Sequence, residues 1–250
     1  MDPIASKNNL SLPTTLSSSK ENDIPDFDPF LQPQSEAREE HYPQTPNGIK
    51  SLFLSNTGLG DSGLIHFAQT LPENHEYQAL FLANNQLGPA GLQALAKRLA
   101  SDQNVKHLIL SQNQFSDFAV AGLADLLRVN HEIGWLVLNN NHIGNAGAQT
   151  LAQGLLSNKG LKHLVLSDNQ IGDDGIAAIA KSLASHPTLE SLFVQGNPFG
   201  EKGARAILDL IKTAPALKKI DLRNLSISLS PQLKQQLQSA AKEKGATLYL

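Results

Sequence analysis

The chain has 250 residues, of which 40% are hydrophobic and 17% charged, with a formal net charge of −3, values ordinary for a soluble globular protein of one or two domains. The absence of cysteine excludes a disulfide framework, a thiolate metal site and a cysteine nucleophile, and it suits a reducing compartment. No run of 18 apolar residues and no basic start followed by an apolar core occurs, so neither a membrane span nor a standard export signal is expected.

Residues 1–46 hold seven of the thirteen prolines and no apolar run of helix or strand period, which predicts a disordered leader. The leader carries Lys7, Lys20 and Arg38 against eight acidic residues, net −5, leaving the rest of the chain with 17 basic and 15 acidic residues. A body so close to neutral argues against nucleic acid as the main partner. Within the leader, Ser11–Lys20 is rich in Ser and Thr and free of acids, a composition that suits an N-terminal secretion signal of the type III kind. Asp26-Phe27-Asp28-Pro29-Phe30 contains the tripeptide Asp-Pro-Phe, similar to peptides bound by clathrin adaptors; a solvated tail is the competing reading.

From residue 47 to residue 250 one unit repeats. Leu52, Leu80, Leu108, Leu136, Leu164, Leu192, Ile220 and Leu248 recur at an unbroken spacing of 28 residues, the signature of a solenoid. Each unit reads L-x-L-x-x-N-x-(I/L/F)-G-x-x-G-x-x-x-(L/I/F)-A-x-x-L. The L-x-L core predicts a short strand near each of those eight positions, with its leucines inward. After a turn, Asp61, Asp117, Asn145 and Asp173 are read as helix caps, with Pro89 and Glu201 opening a first turn, and apolar positions such as Ile176, Ile179, Ala180 and Leu183 fall on one helical face. Asn85, Asn113, Asn141, Asn169 and Asn197 form a column at the strand-to-turn corner, where an amide can satisfy the backbone of its own and the neighbouring turn. Helices pack about 8–10 Å apart and strands about 4.8 Å apart, so a stack of such units bends with its strands inside. The expected fold is α/β, a right-handed β-α superhelix shaped as a horseshoe. Thr57 and Leu225 replace the corner Asn in the first and seventh copies, and Ser230-Pro231 reads as a helix start.

The 28-residue unit resembles the ribonuclease-inhibitor type of leucine-rich repeat over residues 49–250. That resemblance implies parallel strands on a concave face that binds proteins, with helices on the convex face. Short Ala- and Gly-rich copies such as Gly144-Asn145-Ala146-Gly147-Ala148 are similar to leucine-rich-repeat effectors of intracellular bacterial pathogens. The resemblance implies a monomeric, non-catalytic virulence factor, cytoplasmic or delivered into the host cytosol, whose partner is a host protein. Several such effectors are ubiquitin ligases that need a catalytic cysteine, which this chain lacks. A second family of the same repeat type activates a GTPase of nuclear transport, so a GTPase-regulating protein is the alternative reading; that family carries a long acidic tail after its repeats, whereas this chain ends on its last strand.

The residue between the paired leucines, with those on either side, should line the concave surface. The middle column, Phe53, Phe81, Ile109, Val137, Val165 and Phe193, continues to Asp221 and Tyr249, and its six apolar members are expected to form a solvent-facing stripe that marks a protein interface. The other account of the stripe is cross-strand stabilisation of an open sheet face. Trp135, flanked by His107 and His163 at the same position of adjacent strands, is read as an anchor whose binding responds to pH near 6.5, against the plainer reading of solvated strand histidines.

Catalytic and cofactor signals are missing. There is no Gly-Lys-Ser/Thr phosphate loop, no G-x-S-x-G and no H-E-x-x-H. The recurring glycines follow the repeat period and mark turns and helix starts. No catalytic residue, metal or cofactor is expected; two histidines two strands apart with Trp135 between them cannot share a zinc ion.

Overall fold

The structure is a computed structural model and describes residues 49–225 and 228–250; the readings placed on residues 1–46 lie outside the described residues. Strand and helix alternate without exception: β1 (Ser51–Phe53), α1 (Gly60–Thr70), β2 (Ala79–Phe81), α2 (Pro89–Leu99), β3 (His107–Ile109), α3 (Ala121–Val129), β4 (Trp135–Val137), α4 (Asn145–Leu155), β5 (His163–Val165), α5 (Asp173–Leu183), β6 (Ser191–Phe193), α6 (Glu201–Thr213), β7 (Lys219–Asp221), α7 (Pro231–Lys244) and β8 (Thr247–Tyr249). The strands form one parallel sheet in sequence order. Every paired residue lies 28 positions from its partner, from Leu52↔Leu80 to Ile220↔Leu248, so register and repeat length are the same quantity. Consecutive parallel strands need a crossover, and each helix supplies one.

The core lies between sheet and helices. Paired leucines such as Leu108 and Leu110, or Leu164 and Leu166, meet helix residues such as Leu123, Leu151, Ile179 and Leu183 in one continuous buried cluster. Among the described residues, no helix is long and apolar enough to cross a membrane.

Three-residue strands leave much of the backbone in turns, and side chains from neighbouring repeats satisfy it. Asn141 is typical: its Oδ1 accepts from the backbone N–H of Asn113 and Phe115, both at 3.0 Å, and its Nδ2 donates to the carbonyls of Leu138 at 2.8 Å and Leu110 at 3.3 Å. The residue before each corner position, Asn56, Asn84, Gln112, Asn140, Asp168, Gly196 and Asn224, has φ between 50° and 70°, and Asn, Asp and Gly tolerate that left-handed geometry best. At the opposite corner a second column repeats the device. Asn130 Nδ2 donates to the carbonyls of Leu99 and Asp102, and its Oδ1 accepts from the N–H of Glu132 and Ile133; Asn158 does the same one repeat on.

The helix caps differ from expectation. The helices that contain Asp61, Asn145 and Asp173 receive no side-chain cap. Instead Asp61 Oδ1 accepts from the N–H of Gly88 and Gly91 at 2.7 and 2.8 Å, at the start of the next helix. Asn145 serves Gly172 and Gly175, Asp173 serves Gly200 and Gly203, and Asp117 accepts from Gly144. An acceptor on the first turn of one helix thus covers the orphan N–H groups of its neighbour, where negative charge is also favoured by the helix dipole. This explains the G-x-x-G of the motif. Gly88 has φ −110°, open to any residue, but a Cβ there would lie 2.5 Å from Asp61 Oδ2. The glycines make room for the preceding repeat's acid. Ser230 is the exception among the expected caps: its Oγ accepts from Leu233 N within its own helix.

Gly88→Ala is therefore expected to destabilise the fold by about 1–2 kcal/mol through crowding of Asp61. Denaturant melts of Gly88→Ala, Asp61→Ala and the double variant should show a coupling of at least about 0.5 kcal/mol, whereas additive effects would refute the cap.

Candidate functional site

Alternation places Phe81, Ile109, Val137, Val165 and Phe193 on the face of the sheet opposite the helices: their neighbours Leu80, Leu108, Leu136, Leu164 and Leu192 belong to the core cluster and they do not. That face differs from the open stripe expected of it. Phe53 is 56% exposed, but Ile109 and Val137 are 0% exposed and Val165 and Phe193 only 1%, with Phe81 also buried. Part of the reason is register. Each side chain lies beside its counterparts on both adjacent strands at about 4.8 Å, whereas Phe53, on the edge strand, has one such neighbour and stacks on Phe81 with ring centroids 4.6 Å apart.

Beside this column run His107, Trp135 and His163, which the register sets side by side. Their rings stack: Trp135 and His163 at 3.8 Å between centroids and His107 and Trp135 at 6.1 Å, with interplanar angles of 28° and 23°. All three are half-buried. His163 Nδ1 lies 3.1 Å from Ser191 Oγ. Burial lowers the pKa of His163 to about 4, outweighing the opposite pull of Glu190, and burial lowers that of His107 as well. A charge switch near pH 6.5 is thus overturned, because a stacked, desolvated imidazole resists protonation. Among the described residues no group of three or more His, Asp or Glu side chains could hold a metal ion.

Toward β7 the column turns from apolar to charged. Asp221, fully buried, receives Arg223 Nε at 3.1 Å and Nη2 at 2.7 Å. The Arg223 guanidinium lies 4.9 Å from the Tyr249 ring centroid, and Lys219 Nζ lies 5.4 Å from Tyr249 and 5.9 Å from Phe193. Lys219 and Arg223 were not among the residues read as binding candidates. The signal was available, since Lys219 stands in the row of Trp135 and Arg223 in the row of Ser111, Asn139 and Ser167. On the opposite, helix-side corner, His75 Nε2 pairs with Asp102 Oδ2 at 2.7 Å in a buried contact that Arg98 approaches at 3.5 Å. His75 Nδ1 accepts from Tyr77 N, so this group is fully engaged in structure.

A β-strand followed by a helix, iterated in one parallel sheet with an asparagine ladder, defines a right-handed β-α solenoid. The leucine-rich-repeat family model matches residues 78–96, 136–152, 157–180 and 185–208, and the fold is a leucine-rich-repeat solenoid. Similar solved structures include actin-binding site 2 of leiomodin-1 (17% identity over 72% of this chain and 87% of that one, TM-score 0.46). The C-terminal domain of Caenorhabditis elegans tropomodulin shows 11% identity over 73% of this chain and 92% of that one, TM-score 0.46. An internalin of Listeria monocytogenes shows 19% identity over 69% of this chain and 47% of that one, TM-score 0.41. No curated protein matches the chain.

The lowered histidine pKa values set a direction for stability. Below the ordinary value of 6.5 the unfolded chain binds protons that folded His107 and His163 refuse, so their contribution is full above that pH and is lost as pH falls toward about 4. Thermal melts should show a lower melting temperature at pH 5 than at pH 7, and His163→Asn should remove part of that slope; an unaltered slope would show that His163 is not held neutral.

Proposed function

We propose that the repeat unit is a non-catalytic scaffold that binds a partner protein through the sheet face, centred on Trp135 with His107 and His163 beside it, and that the chain acts as a secreted bacterial effector on a host protein. The observation that carries the binding reading is the stacked imidazole–indole–imidazole row, half-exposed at the middle of the sheet and bordering the apolar column Ile109, Val137 and Val165. A rigid aromatic already held by its neighbours loses little entropy on contact, and tryptophan is enriched among residues that dominate interface energetics. Solenoids of this kind offer extended faces to other proteins. The effector reading is supported by the short Ala- and Gly-rich 28-residue units, the ribonuclease-inhibitor type of repeat found in such proteins.

Capture from host-cell cytosol tests both statements. A protein retained by the native chain should be lost or bound about 30-fold more weakly by Trp135→Ala, as for a hot spot of about 2 kcal/mol, with the melting temperature changed by only a few degrees. Retention of the same proteins by the variant would remove the sheet face as the site, and failure of the native chain to retain any host protein would remove the effector role.

A further inference from the structure

The second polar column is interrupted at one joint. Asp102, Asn130 and Asn158 hold it in three successive repeats, each accepting from the backbone N–H groups two and three residues on. Twenty-eight residues further the place falls to His186, and an imidazole cannot copy an amide there. His186 is only 3% exposed, yet among the described residues neither Nδ1 nor Nε2 has a hydrogen-bond partner. The N–H groups of Thr188 and Leu189 therefore receive no acceptor from it, and the carbonyls of Leu155 and Asn158, counterparts of those that Asn158 serves one repeat earlier, receive no donor. The joint is tied instead by Thr188, whose Oγ1 lies 3.0 Å from the carbonyls of Lys159 and Leu161.

A neutral imidazole can be held in such a place, whereas an imidazolium there would be a buried charge with nothing to compensate it. His75 shows the contrast, since a buried carboxylate, that of Asp102, lies 2.7 Å from its Nε2. His186 has no carboxylate within ion-pair distance. The charged side chains on the segments that flank it in the chain and in the stack are Lys159, Lys181, Asp209 and Lys212, all exposed, and Glu190, which pairs with Lys218. Burial alone lowers its pKa. The sheet side of the same joint carries a second imidazole held neutral by burial, His163, whose Nδ1 lies 3.1 Å from Ser191 Oγ across the β5–β6 pairing. The backbone of that pairing is anchored by the N–H groups of Glu190 and Ser191, which donate to the carbonyl of Lys162.

We propose that the joint between the fifth and sixth repeats is an acid-sensitive hinge, in which protonation of His186 opens residues 184–190, and with them the β5–β6 contact, before the rest of the solenoid unfolds. The open form takes up a proton that the closed form refuses, so the stability of the joint is complete above the ordinary histidine value near 6.5 and is lost as pH falls below it. Opening of this kind is local, because the joints on either side keep their own hydrogen bonds. The hinge goes beyond the binding reading and does not depend on it.

Native-state hydrogen exchange of the full chain tests the hinge. Protection factors of the His186, Glu190 and Ser191 amides should fall by about tenfold or more between pH 7.5 and pH 5.5, the change expected for one linked proton. Those of Asn130, Gly134 and Trp135, at a joint closed by an asparagine, should stay within about twofold. His186→Asn, which supplies the amide found at residues 130 and 158, should abolish the fall, and His163→Asn should leave most of it in place. An equal fall in the native chain and in His186→Asn, or one shared by the Asn130 joint, would overturn the hinge. Should His186→Asn not fold, the NMR titration of the His186 imidazole in the native chain decides. Charging that accompanies the loss of protection supports the hinge, and charging near pH 6.5 with the joint still protected overturns it.

Discussion

The fold depends on side chains that satisfy the backbone of a different repeat. Three-residue strands cannot pair all the N–H and carbonyl groups of a 28-residue unit, and a buried unpaired group costs about 1–3 kcal/mol. Corner asparagines reach back across the joint, and first-turn acceptors such as Asp61 and Asp173 reach forward to the next helix. Both directions are used at nearly every junction, so hydrogen bonding and apolar packing are completed together by the neighbour and no unit is complete alone.

Much of this was legible in the sequence. The leucine period is also the strand register, so the positions of all eight strands and the alternation of leucines with outward residues follow from counting. The caps were harder. Asp61 and Asn145 have the composition and spacing of local caps, and only three dimensions show that their neighbours across the joint are closer to them than their own helix start. Meanwhile Asp102, Asn130, Asn158 and His186 repeat at the same 28-residue interval as the recognised ladder, but within irregular segments where polar residues are common and a column is easy to overlook. The left-handed column that includes Asn140 and Asp168 was hidden likewise, because one Gln, Asn or Asp in a turn carries little information until its φ is known.

The candidate site was legible in outline and not in its environment. Alternation located Ile109, Val137 and Val165 on the face opposite the core, but burial depends on what lies beside and above a residue, which no period encodes. The same gap explains the histidines. An imidazole on a short strand looks solvated in sequence, yet His163 is packed against Trp135 and its burial lowers its pKa to about 4. Lys219 and Arg223 gain meaning only beside Phe193 and Tyr249, which lie on other strands.

The reciprocal helix caps bear on how such a chain can change in length. Because the α1–α2, α3–α4, α4–α5 and α5–α6 junctions present much the same acceptor to glycine amides, copying or excising a whole period between them rejoins matching surfaces. Adding or losing one residue instead moves an acid off its glycines, puts a side chain where only a hydrogen fits and turns a strand's leucines toward the wrong face. Lengthening by duplication is thereby favoured over gradual drift, and the range of strands available to a partner can grow in steps while every joint keeps its chemistry.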